Sequence, residues 1–193
     1  MIWRVRRVLT GHDSAGKSTI IADGLATNIK EMASMPGLAL TDLWETTGAP
    51  ANNDGHVDAA ARPVHLEPPK NGTILRVVEF PPDANWRSSA VAREGFKSIG
   101  AGHVVDEHSA DPMMHRTATV DYAIVLKGEI HAVMEQGETL LRAGDILVQR
   151  GTNHSWSVRG NEPAIVCFVL VSAKPLGKPK KKKKAKAKAK KRK

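Results

Sequence analysis

The sequence predicts an all-β fold, a small antiparallel sandwich or barrel that carries a lysine-rich tail. Short segments rich in β-branched and apolar residues recur along the chain, and clusters of Gly, Pro, Asn and Asp separate them. Few helical patterns lie between these segments, and a parallel sheet would need helices as connections. A chain of 193 residues is long enough for one domain with its own core. We therefore expect one domain over residues 1–173 and a disordered tail over residues 174–193.

The predicted strands fall into two groups. A dense series runs from Val120 to Val171, and turns such as Lys127-Gly128 and Ala143-Gly144 divide it into short hairpins. The earlier strands are expected at residues 4–10, 18–23, 38–46 and 74–80.

Three other segments lack a strand pattern. Residues 28–35 suit a helical turn or a loop. Residues 88–99 have a capping serine and spaced apolar side chains, which is typical of a short helix. Residues 100–114 form a long connection that suits either a plain surface loop or a lid over a cavity.

Residues 11–18, GHDSAGKS, match the phosphate-binding loop pattern GxxxxGK[ST] letter for letter. That loop works only where a helix follows it, because the first amides and the dipole of the helix hold the phosphates. Here the β-rich stretch Thr19-Ile20-Ile21 follows, and Gly24 soon ends it. We interpret the segment as a polar hairpin loop between two strands.

The net charge of +9 lies almost entirely in the tail. Residues 174–193 contain 12 lysines and Arg192 but no acidic residue, which leaves 16 basic and 20 acidic side chains in residues 1–173. The domain alone then has a net charge of −4, which gives no support for a nucleic-acid surface built into the fold.

The single cysteine, Cys167, excludes an internal disulfide. With no apolar run long enough to cross a bilayer, we expect a cytoplasmic protein without membrane contact.

The tail is expected to bind polyanions such as DNA or RNA non-specifically, because its lysines would release counterions from the phosphates. The alternative is a solubilising extension without a dedicated partner. Its lysines also resemble a nuclear-import signal, so a nuclear location is expected if the host is eukaryotic. Removing residues 174–193 should abolish retention on heparin at low salt. Unchanged retention of the truncated protein would contradict this prediction.

The segment around His115 is the best candidate for chemistry. Side chains alternate along a strand, so His115, Thr117, Thr119 and Asp121 are expected to share one face. If that face is the interior, His154 on a neighbouring strand can meet them. Two imidazoles and one carboxylate with open positions form the ligand set of a non-haem Fe(II) site, and Zn, Mn or Ni would also accept it.

This pattern resembles the first of the two short motifs of the cupin family, G(x)5HxH(x)3–4E(x)6G. His115 matches the first histidine and Gly128 follows at the expected interval. Thr117 stands where the second histidine belongs, and Asp121 replaces the glutamate.

The second cupin motif, G(x)5PxG(x)2H(x)3N, is also recognisable. Gly144, Gly151 and His154 match it with one residue fewer after the first glycine, whereas Gln149 replaces the proline and Val158 the asparagine. The detailed match covers residues 104–171. The resemblance implies a jelly-roll β-barrel with a metal site inside it.

The resemblance implies one divalent metal held by His115, Asp121 and His154, with Thr117 as at best a weak hydroxyl ligand. This metal would act on a polar small molecule, so that the protein would be an oxygenase, an isomerase or a decarboxylase-like enzyme. The alternative is a non-catalytic cupin that binds a small ligand or regulates, with a degraded metal site. Each side chain alone would equally suit a structural hydrogen bond or ion pair.

The resemblance further implies a homodimer that pairs through its sheets. Further candidates for lining the cavity are Arg76, Glu79, Trp44, Tyr122 and Trp156.

Overall fold

The computed structural model describes residues 2–177, and it confirms the all-β fold. One α-helix, α1 (Ser89–Ser98), lies in this part of the chain. Its strands are β1 (Arg6–His12), β2 (Ser18–Leu25), β3 (Ile29–Glu31), β4 (Ala39–Thr46), β5 (Thr73–Phe80), β6 (Thr119–Lys127), β7 (Glu129–Met134), β8 (Glu138–Arg142), β9 (Ile146–Gln149), β10 (His154–Ser157) and β11 (Ala164–Ser172).

Two antiparallel sheets enclose the core. The larger sheet has the order β3-β4-β5-β11-β6-β9, and the smaller has the order β10-β7-β8. Along β5 the side chains of Ile74, Val78 and Phe80 point inward, where they pack in one apolar cluster with Ile130 and Trp156 of the smaller sheet. The alternation of inward apolar residues expected for a sandwich is therefore present in both sheets.

Strands β1 and β2 form a separate two-stranded sheet, and the GHDSAGKS segment is its turn. The Asp13 carboxylate accepts hydrogen bonds from the backbone N–H groups of Ala15 and Lys17, each at 2.9 Å. These amides are the groups that a phosphate-binding loop would offer to its ligand. The interpretation as a polar hairpin loop is confirmed.

The segments that connect the strands agree only in part with the prediction from the sequence. Helix α1 agrees with the prediction over residues 88–99, because Ala92 and Phe96 bury one side of it. Residues 28–35 were expected to lack strand, but Ile29–Glu31 form the edge strand β3 before the chain turns. The tail prediction for residues 174–193 falls mostly outside the described residues. No helix within residues 2–177 is long and apolar enough to cross a membrane.

Candidate functional site

The interior of the fold contains a cavity of about 100 Å³. Its lining is mainly apolar and includes three flexible methionines, Met32, Met35 and Met113. A mainly apolar ligand suits such walls, whereas the sequence had suggested a polar substrate. The polar lining consists of Arg76, His115, Thr117, Asp121 and His154.

His115 and His154 form a pair on two adjacent chain segments. The backbone N–H of each residue donates to the carbonyl of the other, at 2.8 and 2.9 Å. Two residues paired in this way project their side chains to the same side, which brings the ring centroids to 4.3 Å. His115 does not belong to β6, which begins only at Thr119, but its side chain is buried like those of Thr117 and Asp121.

The tautomers of both histidines follow from their backbone contacts. The Nδ1 atom of His115 lies 2.8 Å from the carbonyl of Met113, and that of His154 lies 2.9 Å from the carbonyl of Thr152. Because a carbonyl only accepts, each Nδ1 must carry the proton, and Nε2 is then the deprotonated nitrogen of the neutral ring.

Burial keeps these rings neutral. It lowers the pKa of His115, and burial together with the neighbouring His115 lowers the pKa of His154 to about 3. Two imidazolium ions in contact inside an apolar cavity would repel one another and lose their hydration. The pair therefore offers two unprotonated nitrogens across the whole neutral pH range.

Asp121 is the carboxylate of the polar lining. Only 5% of the residue is exposed, and its Oδ1 atom is buried with no hydrogen-bond partner. Burial raises the pKa of Asp121 to about 6, although a hydrogen bond from Thr119 and the charge of Arg76 lower it. A buried oxygen without a partner is costly to the fold, so a ligand that donates a hydrogen bond to it would bind favourably.

The donor atoms suit a divalent metal, but their arrangement does not. Two deprotonated imidazole nitrogens and one carboxylate oxygen match the expected ligand set. Within residues 2–177, however, no group of three or more His, Cys, Asp or Glu side chains is placed to hold a metal ion. Asp121 lies in the larger sheet, paired with Gln149 and Leu170, whereas the histidine pair continues into β10 of the smaller sheet. The three predicted ligands line one cavity but do not form one coordination group.

Arg76 reaches the cavity from β5 as part of a buried ion pair. Its Nε and Nη2 atoms donate to the two oxygens of Asp42, at 2.5 and 3.0 Å. Arg76 also donates to the carbonyl of His65, and Asp42 has a second cation in Arg62 at 3.0 Å. The charge of Arg76 is thus largely compensated on the side of Asp42.

The other lining candidates differ in which face of their strand they occupy. Trp156 lines the cavity together with Arg76. Glu79 does not, because its odd position on β5 turns it to the opposite face, where its carboxylate accepts from the backbone N–H of Trp3. Tyr122 alternates with Asp121 and is 44% exposed on the outer face, so the expectation that it lines the cavity is wrong. Trp44 also lies outside the lining.

Several lining residues were not predicted from the sequence. Phe96 of α1 packs against His115 with ring centroids 4.9 Å apart, and Ile99 and Met113 lie beside it in the lining. The helix and the segment after it therefore form one wall of the cavity. Ala92, Phe96 and Ile99 recur at helical spacing, which is the signal that points these residues inward. The methionines Met32 and Met35 gave no such signal, because they lie in a turn.

Sequence comparison finds relatives in fungi. The chain is 30% identical over 180 residues to Phomopsin biosynthesis cluster protein C' of Diaporthe leptostromiformis, which covers 88% of this chain and 79% of the relative. It is 28% identical over 182 residues to the cupin-domain-containing oxidoreductase virC of Hypocrea virens, which covers 90% of this chain and 78% of the relative. A scan against protein-family models found no match.

Among solved structures, the cupin domain of Schizosaccharomyces pombe Cnp3 is similar with a TM-score of 0.46 and 10% identity, over 88% of this chain and 89% of that one. The family follows from the sequence relatives, whose similarity extends over nearly the whole described domain. The chain belongs to the cupin family.

Proposed function

We propose that this protein is an enzyme that binds a mainly apolar small molecule in the barrel and transfers a proton at a polar group held against His115, His154 and Asp121. The observation that carries the proposal is an apolar cavity in which two neutral imidazoles and one unpartnered carboxylate oxygen line the same space. A few convergent polar groups in an apolar pocket are typical of small-molecule sites.

The chemistry follows from the state of each side chain. A deprotonated Nε2 of the histidine pair removes a proton from a carbon or hydroxyl group of the ligand. Asp121 holds a hydroxyl or enol of the ligand through its free oxygen, and in its protonated form it returns a proton. Moving one proton from one atom of the ligand to another is an isomerisation, which is one of the reaction types that the sequence suggested.

The names of the relatives favour a second reaction on the same kind of ligand. Several are called cupin-domain-containing oxidoreductases, among them virC of Hypocrea virens and fogC of Aspergillus ruber. A redox reaction needs an electron acceptor, which the side chains of the cavity do not supply. The sequence predicts one divalent metal, Fe, Mn, Zn or Ni, but His115, His154 and Asp121 form no single coordination group for it. That metal stays a prediction, as does the alternative of a non-catalytic ligand-binding cupin.

A product assay in D₂O distinguishes these reactions. Small aryl ketones and unsaturated aldehydes are incubated with the full-length protein, and the products are analysed by mass spectrometry. Proton transfer incorporates deuterium with no other change of composition, whereas oxidation removes hydrogen or adds oxygen.

Substitution of the histidine pair tests the assignment of the site. We expect His154→Ala and His115→Ala each to lower kcat by about 10²–10⁴-fold, the usual contribution of general acid–base catalysis. His131→Ala, in the smaller sheet and outside the cavity lining, is the matched control and should retain activity. Activity that survives both substitutions in the pair would contradict the proposal.

Metal analysis of the same three proteins tests the metal hypothesis. Protein purified without chelator is analysed for metal content before and after the substitutions. Stoichiometric metal that both substitutions in the pair remove, and His131→Ala does not, would support a metalloenzyme. Metal content that the substitutions leave unchanged would argue against ligation by these histidines.

A further inference from the structure

The backbone pairing that joins His115 to His154 gives way to side chains at its next step. In an antiparallel ladder the hydrogen-bonded pairs recur at every second residue, so the next pair after the two histidines is Met113 and Trp156. The N–H of Met113 donates instead to the Asp111 carboxylate, at 2.9 Å. A side chain therefore takes the place of the backbone at this step of the ladder.

Arg87 completes the connection between the two segments. Its Nη1 atom donates to the carbonyl of Trp156 at 2.8 Å, and its Nη2 atom lies 2.6 Å from both oxygens of Asp111. Nη2 also lies 2.8 Å from the hydroxyl of Ser155, which follows His154. Only 17% of the Arg87 side chain and 19% of the Asp111 side chain are exposed. The ion pair thus bridges the segments that carry the two histidines.

The bridge ends one hydrogen bond away from the ring of His115. Asp111 holds the N–H of Met113, and the carbonyl of Met113 lies 2.8 Å from Nδ1 of His115. That contact determines which ring nitrogen carries the proton and where Nε2 points. Arg87 itself does not line the cavity. Its effect on His115 is therefore transmitted through Asp111 and Met113.

We propose that Arg87 is a positioning residue: with Asp111 it replaces one backbone step of the ladder and holds the Met113 carbonyl that fixes the orientation and tautomer of His115. Arginine suits this role because its planar guanidinium presents several donors in fixed directions, whereas a lysine ammonium is a compact point charge. The catalytic meaning of the inference rests on the proposed function, but the position of the ring is measurable without a substrate.

Nitrogen-15 NMR of the histidine rings tests the positioning in the full-length protein. We expect the unaltered protein to carry the His115 proton on Nδ1. Arg87→Met should move the Nδ1 and Nε2 resonances of His115 towards each other as both tautomers become populated, and the His115→Ala variant identifies these resonances. Arg87→Lys should show the same shift, because it restores the charge but not the bridge. Full recovery by lysine would overturn the proposal, since the charge alone would then be sufficient.

Kinetics of the same variants in the D₂O assay test the consequence for the reaction. We expect Arg87→Met to lower kcat by about 10–100-fold, because a small displacement of a reacting group is costly. KM should change little, since Arg87 does not line the cavity. A raised KM with unchanged kcat would overturn the proposal. A shifted tautomer in a protein whose unaltered form yields no product would support the positioning and contradict the proposed function.

Arg7→Met is the matched control. Arg7 also forms an ion pair with an aspartate, Asp58, and donates to a carbonyl, that of Leu43, and its side chain is 15% exposed. This substitution should leave the ring resonances of His115 and kcat unchanged. An effect as large as that of Arg87→Met would overturn the proposal, as would an unchanged tautomer in Arg87→Met.

Asp111→Ala tests the bridge from its other end. It removes the acceptor of the Met113 N–H but leaves Arg87 its contact with Asp83, at 3.2 Å. We expect the same shift of the His115 resonances as in Arg87→Met. Far-UV circular dichroism verifies that each variant is folded, and if Arg87→Met is not, Asp111→Ala decides the test. A folded Asp111→Ala variant with the unaltered tautomer would overturn the proposal.

Discussion

Replacing Arg76 by methionine is expected to lower the free energy of unfolding by about 3–5 kcal/mol, the usual cost of removing one partner from a buried ion pair. Asp42 is fully buried, and Arg76 supplies both of its bidentate hydrogen bonds. Without them the carboxylate keeps only Arg62, whose side chain is 16% exposed. Urea unfolding of the variant and the unaltered protein measures the difference.

Two further variants identify the cause of that loss. Arg6→Met removes an ion pair with Asp23 in which the side chains are 70% and 40% exposed, and we expect a much smaller loss of stability because water screens the two charges. Asp42→Asn combined with Arg76→Met removes both charges, so it should recover part of the stability. A single Arg76→Met variant as stable as the unaltered protein would show that Arg62 alone compensates Asp42.

Replacing Asp121 by asparagine is expected to stabilise the fold at pH 8 but not at pH 4. The pKa of Asp121 is raised to about 6 in the folded protein, so the folded state binds the proton more tightly than the unfolded chain does. As the pH rises from about 4 to about 6 this group therefore lowers stability, and above pH 6 the full penalty is present. At 1.36 kcal/mol per pKa unit, the penalty amounts to about 3 kcal/mol.

The effect of Asp121 is measured as the difference in the free energy of unfolding between the Asp121→Asn variant and the unaltered protein at each pH. The pKa of His154 is lowered to about 3, so its contribution has the opposite sign and is lost as the pH falls from about 6.5 to about 3. Subtracting the two stability curves cancels His154 and leaves Asp121. A difference that does not change between pH 4 and pH 8 would show that the carboxylate is not destabilised by burial.

The barrel was predictable because its signals are local. Glycine turns, alternating side chains and the two glycine-containing cupin motifs fix hairpins without reference to distant residues. The same locality explains the correct rejection of the phosphate-loop pattern, since the residues after Ser18 cannot begin a helix.

The site was less predictable because it depends on which sheet each side chain faces. Glu79 and Arg76 were grouped as lining residues, although three positions apart on a strand they must face opposite sides. For the same reason Tyr122, which follows Asp121 on β6, faces away from the cavity. Asp121 is separate from the histidine pair because they lie in different sheets. The spacing of residues along the chain does not reveal which sheet a strand joins.

The size of the cavity has a kinetic consequence. A volume of about 100 Å³ is less than the ~150 Å³ cavity that accepts benzene in an engineered protein. A larger ligand needs the lining to move, and Met32, Met35 and Met113 have unbranched side chains that can change rotamer without backbone movement. Ligand entry would then be gated by side-chain motion, and association would be slower than diffusion allows. Stiffer replacements such as isoleucine at these positions would slow entry further while leaving the histidine pair in place.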